Sequence, residues 1–299
     1  KLQPNYIKAN SAAQWMHYMM NNTNPLQFSF AICLMLLASL LAMHTQALPQ
    51  SANVPGGVAI IKLDTPSNIE PQARFKKQAV AVVKQEGHWY AVVGLNLNTK
   101  AGEHFIVSQG KRYPFTVTNK EYPEQHIQLK TRKHIDLSAQ DLARHKGEKQ
   151  QANAVFKVFD TTQNLDLNFV KPVVGPYSSP FGLKRFFNGE PRNPHSGLDI
   201  AAPTGTDIIA PTSGKVVLTG DFFFNGNVVY MDHGQGLISM FCHLSEIHVK
   251  AGDTVQKGEV IGEVGATGRV TGPHLHWSLS LNNARIDPML FLPVDKKQP

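Results

Sequence analysis

The stretch "TGPHLHWSLSL", residues 271–281, carries two histidines one residue apart and then alternates. His274, His276, Ser278 and Ser280 fall on one register, and Leu275, Trp277, Leu279 and Leu281 on the other. Period-two alternation of this length is the pattern of a half-buried strand. Successive side chains of a strand point to opposite faces, so His274 and His276 share one. Two imidazoles on a strand face are most often plain sheet surface. A zinc site would need a third and usually a fourth ligand, and these must come from elsewhere in the chain.

The 299 residues allow roughly two domains. With 42% hydrophobic and 17% charged residues the composition is that of a foldable globular chain. Short β-type runs separated by Gly and Asn turns predict a mainly β protein. "AVAVV" (79–83), "WYAVVGLNL" (89–97), "EHFIV" (103–107), "YPFTV" (113–117) and "HIQL" (126–129) have the spacing of an immunoglobulin-like β-sandwich. No cluster in this region suggests chemistry. "SAQDLARHKGEKQQANAVF" (138–156) opens with Ser138 and Asp141 at capping-box spacing and predicts an exposed helix, or two shorter ones divided at Gly147.

Near the N-terminus, Phe28 to Met43 is an uncharged apolar run of 16 residues followed by the small-residue stretch Thr45-Gln46-Ala47. That length suits a signal peptide better than a bilayer span, which takes about 20 residues. An uncleaved anchor is the rival reading, because no lysine or arginine lies nearer upstream than Lys8. Both readings predict an exported protein. The net charge is +7; residues 1–47 hold two lysines and no acid, which leaves +5 on the remainder. These charges are scattered, with no basic run interleaved with aromatics, so nucleic acid is excluded as the expected partner while an anionic cell-wall polymer is not. Cys33 lies in the apolar run and leaves Cys242 alone in the remainder, so no internal disulfide is expected there. Cys242 reads as buried packing, on the strand face opposite His243.

Partners for the two histidines stand upstream. In "NPHSGLDIAAPTG", His195 and Asp199 are four apart, but Pro194 and Gly197 argue against a helix, and a turn running into a strand would let them converge. His, Asp and His make a reasonable three-ligand set for zinc with a fourth position open to water. His243, in "SMFCHLS", is a third strand histidine, expected to share a face with Ser239 and Phe241. His233 and His248 read as surface residues.

The segments "NPHSGLD", "FCHLS" and "TGPHLHW", in this order, resemble the lysostaphin/LytM-type zinc metallopeptidases, which cut cell-wall peptides. The resemblance covers roughly Phe169 to Leu292 and includes the glycine-rich "KAGDTVQKGEVIGEVGATG". "VPGGVAIIKL" onward is similar to the N-terminal β domain of some Gram-negative members. The resemblance implies one Zn2+ held by His195, Asp199 and His276, with His243 and His274 as catalytic histidines that do not bind it. It also implies an antiparallel β catalytic domain and peptidoglycan peptide cross-links as substrate. The alternative it carries is a non-catalytic activator of cell-wall amidases, as in members that have lost ligands. Cys242 is a departure, since members often have alanine or another small residue there. The expected organisation is a signal or anchor segment (1–47), an immunoglobulin-like β domain (48–132), a helical linker (133–165), a metallopeptidase domain (166–292) and a tail (293–299).

Overall fold

The computed structural model describes residues 48–128, 138–163 and 165–293. The expected signal or anchor segment lies outside them, as do the tail from residue 294 and the first part of the expected linker. Among the described residues no helix is long and apolar enough to cross a membrane.

The N-terminal sheet contains β1 (Val58–Leu63), β2 (Ala73–Phe75), β3 (Gln78–Gln85), β4 (His88–Gly94), β5 (Gly102–Ser108) and β6 (Lys111–Val117), in the order β1-β4-β3-β2-β5-β6. Its strand β3 pairs with β2 through residues 78–80 and with β4 through residues 81–85, so it turns the corner between two halves of a barrel-like sheet. The apolar run "AVAVV" is explained by burial on both faces. Val80 and Val82 point into the interior with Ile61, Val93, Ile106 and Phe115. Ala81 and Val83 belong instead to the core shared with the rest of the chain, as do Val58 and Val92. A strand covered on both sides reads as continuous hydrophobicity rather than alternation. In β6, by contrast, Tyr113, Phe115 and Val117 are buried and the residues between them exposed.

Next comes β7 (Glu124–Ile127), which leaves the N-terminal sheet and pairs in parallel with β9 (Lys184–Phe187), itself paired with β10 (Glu190–Pro191). Between them, helix α1 spans Ala139–Val155 and β8 spans Tyr177–Ser179. The Ser138 side chain accepts from the Asp141 N–H, the expected cap. The helix continues through Gly147 as one piece. It is exposed along most of its length, but Glu148 and Val155 are buried.

The C-terminal domain is an antiparallel sheet of β11 (Leu198–Ala201), β12 (Asp207–Ile209), β13 (Gly214–Phe222), β14 (Gly226–Asp232), β15 (Leu237–Ile247), β16 (Thr254–Val255), β17 (Val260–Val264), β18 (His274–Leu281) and β19 (Ala284–Ile286), with β8 at one edge. The main order is β16-β13-β14-β15-β18-β11-β8, and a single 3₁₀ turn, Pro288–Phe291, follows β19. One face of β14, β15 and β18 packs Met231, Phe241, Trp277 and Leu279 into the large core. Tyr230, Met240 and Cys242 lie in a second cluster, closed by Val155 and Phe156 at the end of α1.

His233 departs from its expected surface position. It is 1% exposed, with Nδ1 at 2.9 Å from the Ser213 carbonyl, Nε2 at 2.7 Å from Ser239 Oγ and its ring edge-on to Phe169. The turn "MDHGQG" is folded under rather than out: the Gly234 N–H donates to the Asp232 carboxylate and the Gln235 side chain bonds to Val82 of the N-terminal sheet.

Candidate metal centre

Strand β18 is flanked by β15 and β11, and this register assembles the centre. Asp199 lies directly opposite His276. Opposed residues of antiparallel strands share a face, so the two side chains project together. His195 enters from the irregular stretch before β11. Its N–H donates to the Leu183 carbonyl at 2.9 Å and its carbonyl accepts from Gly182 at 2.8 Å, which holds its backbone against that turn. Gly197 passes directly beneath the His276 ring. A Cβ at this position would meet Ser278 Oγ at 2.6 Å and the ring Nε2 at 2.7 Å, so any larger residue would displace the imidazole.

His195 Nε2 lies 2.9 Å from Asp199 Oδ1 and 3.0 Å from His276 Nδ1, and His276 Nδ1 lies 2.8 Å from the same Oδ1. The outer nitrogens fix the tautomers. His195 Nδ1 faces the Pro180 carbonyl at 2.8 Å, an acceptor only, so it carries the proton. His276 Nε2 faces Ser278 Oγ at 2.9 Å, whose hydroxyl donates onward to the Ser196 carbonyl, so it too carries the proton. The two inner nitrogens are left as lone pairs beside a carboxylate. Two imidazoles and one carboxylate, each oriented by an outer partner, form a donor set suited to a divalent cation. Burial works against ionisation of Asp199, but the adjoining His195 and His276 outweigh it and hold the carboxyl well below the ordinary range. Burial pushes the His276 imidazole down, with Asp199 opposing it. Arg185 approaches the other carboxylate oxygen at 3.6 Å while donating to Ser179 Oγ at 3.1 Å.

Near this set stand two further histidines. The His243 ring centroid is 5.0 Å from that of His274 and 6.1 Å from that of His276. His243 Nδ1 donates to the Thr267 carbonyl at 2.9 Å, and His274 Nδ1 to the Gly272 carbonyl at 2.9 Å, which leaves both Nε2 atoms as lone pairs. His274 Nε2 lies 3.9 Å from Asp199 Oδ1. Burial, followed by the charge of His276, lowers His243 to about 3.

Simple alternation would put His243 with Phe241, inside the core. Instead, the register of β14 on β15 slips between the Asn227–Leu244 and Val229–Phe241 pairs, and His243 takes a left-handed backbone with φ of +68°. This bulge brings the imidazole to the side of His274 and His276, while its N–H donates to Asn225 at 2.8 Å. Bulges re-aim side chains in this way beside functional sites, and the left-handed conformation of a non-glycine residue carries strain that the surroundings must hold. Cys242 is fully buried and pairs in register with His276; burial raises its thiol to about 12, so it is packing rather than a nucleophile.

The structure thus brings together all five residues singled out in the sequence. Missed were Arg185, which no motif marks, and Ser278, which the alternation after His276 does place on the correct face. A second group, Glu246, His248 and Glu263, lies within ligand reach of one another, but on the surface, with His248 Nε2 at 3.7 and 3.6 Å from the two carboxylates. It has the character of an ordinary exposed ion pair.

Residues 193–288 match the model of the family described as Peptidase family M23, and residues 51–120 match that of the Peptidase family M23 N-terminal domain. The chain is 43% identical over 96 residues to the peptidoglycan DD-endopeptidase ShyA of Vibrio cholerae, covering 32% of this chain and 22% of that one. It is 39% identical over 112 residues to the DD-carboxypeptidase/endopeptidase Mpg of Neisseria meningitidis, covering 38% and 26%. The chain therefore spans about a quarter of the length of these curated relatives. A solved putative peptidase M23 from Pseudomonas aeruginosa is 43% identical, covers 83% of this chain and 97% of its own, and superposes with a TM-score of 0.68.

Proposed function

The chain belongs to peptidase family M23, and on that footing we propose that it is a zinc-dependent endopeptidase that hydrolyses peptide cross-links of bacterial peptidoglycan. The observation that carries this reading is the convergence of His195 Nε2, Asp199 Oδ1 and His276 Nδ1 with two further imidazoles beside them. The complete donor set favours an enzyme over a non-catalytic amidase activator. Relatives that act on peptidoglycan, together with the apolar segment Phe28–Met43, support a place outside the cytoplasmic membrane.

Zinc held by His195, Asp199 and His276 would polarise the scissile carbonyl and make water nucleophilic near neutral pH. The remaining work falls to side chains. His243 and His274 each present an unprotonated Nε2 towards the centre. Between them they accept the proton of the attacking water; the imidazole so protonated then steadies the oxygen of the tetrahedral carbon and returns that proton to the departing amine as the C–N bond breaks. Their fixed Nδ1 partners keep Nε2 in the tautomer that this task requires. Ser278 and Pro180 position the ligands rather than touching substrate.

The decisive experiment is digestion of isolated sacculi with the purified protein, followed by muropeptide analysis with chelator and after zinc is restored. Loss of cross-linked species that chelator abolishes and zinc restores is expected. Cleavage indifferent to chelator, or no cleavage at all, would overturn the proposal.

A further inference from the structure

Beside the metal centre is a cavity of about 590 Å³. His243 and His276 form part of its lining, so it adjoins the centre to which a peptide would be presented. The charge of its lining is one-sided. Arg185, Arg192, Arg269, Arg285 and Lys149 are set against a single acid, Glu148. That acid is already engaged, accepting from the Phe223 N–H at 3.0 and 2.9 Å and from Arg144 Nε at 2.7 Å.

These guanidinium groups are held in place before any ligand arrives. Arg269 lies over the Phe224 ring at 4.3 Å from its centroid, and Arg285 over Phe156 at 3.4 Å. Arg192 is tethered by Glu190 at 2.6 Å, and Arg185 by Ser179. Among the described residues, no carboxylate lies within ion-pair distance of Arg285, although it is largely buried. Burial lowers Arg269, and the charges of Arg185 and Arg192 lower it further, which means the three repel one another in a partly desolvated space. Like charges gathered in a water-poor cleft focus a positive potential, and planar guanidinium groups recognise carboxylates through paired N–H donors.

We propose that Arg185, Arg192 and Arg269 form a carboxylate-binding subsite beside the scissile bond, so that the enzyme selects cross-link peptides bearing a free carboxylate next to the amide it cuts. This rests on the endopeptidase reading and names its substrate class. The repulsion between the three cations is relieved when a substrate carboxylate enters, and the binding energy aligns the amide against His243 and His274.

The test uses two synthetic cross-linked peptides that differ only in whether the carboxylate flanking the scissile amide is free or amidated. The full chain, loaded with zinc, should cleave the acid with a kcat/KM about 10-fold or more above that of the amide, in line with one charge-assisted contact. In Arg192→Gln and Arg269→Gln the ratio of acid to amide should fall towards one, mainly through KM for the acid, with zinc content and thermal melting as in the parent. Arg269→Lys should recover part of the preference. A parent ratio near one, or variants that slow both peptides equally, would overturn the subsite. Binding of both peptides to the zinc-free chain by calorimetry separates the two proposals. Tighter binding of the acid without cleavage of either peptide would sink the endopeptidase reading and keep the subsite, while cleavage of both with equal binding would do the reverse.

Discussion

The two β regions of this chain are built from strands of similar length, yet they treat polar groups in opposite ways. Inside the N-terminal sheet the core is Ala59, Ile61, Leu63, Val80, Val93, Ile106, Phe115 and their neighbours, without a charged member. The only polar residues buried among its described positions are Thr99 and Ser108. The C-terminal sheet buries His195, Asp199, Asp232, His233, Ser239, His243, Ser278 and Ser280. Each such burial costs free energy unless a partner is supplied. The partners then divide these residues into two kinds. His233 has both ring nitrogens satisfied within the fold, whereas His195, His243, His274 and His276 have one nitrogen tied down and the other turned towards a shared space. A buried histidine marks function here only when half of its hydrogen bonding is left for something else.

The comparison breaks most sharply at the ligands. In His276→Ala or Asp199→Ala, bound zinc measured by mass spectrometry should disappear and sacculus cleavage should fall to background, while the circular dichroism spectrum stays that of the parent. The site occupies one end of β18 and the core residues Trp277 and Leu279 remain. If zinc stayed at one equivalent with either variant, the donor set would have been assigned wrongly.

His243→Ala is expected next in size. In the proposed mechanism this histidine moves protons without holding the metal, so zinc should remain at one equivalent and kcat should fall by about 10² to 10⁴. Unaltered kcat would leave His274 alone responsible. Alanine keeps the Cβ, so the strain of a φ of +68° is neither relieved nor increased, and the melting temperature should not fall with the activity.

How much of this was legible beforehand follows from the same physics. Strand alternation showed that His274 and His276 share a face, and the resemblance of the histidine motifs to the lysostaphin/LytM-type metallopeptidases implied the five site residues. The strands of the N-terminal sheet were readable from their apolar runs, although β1 and β2 were passed over as elements. What failed was anything set by long-range pairing. A bulge is one extra residue in a register, and nothing in "SMFCHLS" announces it, so plain alternation places His243 on the face of Ser239 and Phe241. The turn carrying His233 has a surface composition, and its burial depends on Ser213, Ser239 and Phe169, all distant in sequence from the turn or on a neighbouring strand. The pairing of β7 with β9 joins residues 124–127 to 184–187, and no local pattern encodes it. Arg185 sits on that same β9, which is why its approach to Asp199 went unseen.

His233 offers a smaller test, on stability rather than activity. Burial lowers its folded value to about 4 from an ordinary 6.5, against the opposing hydrogen bond to Ser213. Between those values the unfolded chain takes up a proton that the folded chain refuses. Stability from this group is therefore fully present above about pH 6.5 and lost as pH falls towards 4, to a total of about 3 kcal/mol. Urea denaturation of zinc-free protein from pH 8 to 4 should show that loss, and His233→Gln should reduce the slope within the window. Equal slopes in the parent and the variant would mean that His233 is protonated in the folded state.

The smallest effect is expected where the two regions meet. Asn282, just past the end of β18, accepts from the Gly94 N–H at 2.6 Å and donates to the Gly94 carbonyl at 3.1 Å, closing the last residue of β4 against the C-terminal sheet. The approach is so close that a Cβ on Gly94 would lie 2.6 Å from the Leu281 carbonyl. Asn282→Ala would strand two buried backbone groups and should cost about 1–3 kcal/mol. Six residues of extended chain, about 20 Å, separate this contact from His276, so zinc affinity and kcat should stay within about twofold. Both contacts nevertheless belong to the strand that presents the histidines. A single, lowered melting transition with activity intact would show that the N-terminal sheet stabilises β18 without setting the site. A loss of kcat at full zinc occupancy would show instead that the apolar sheet positions the polar one along that strand, and the division between the two regions would then hold for composition but not for function.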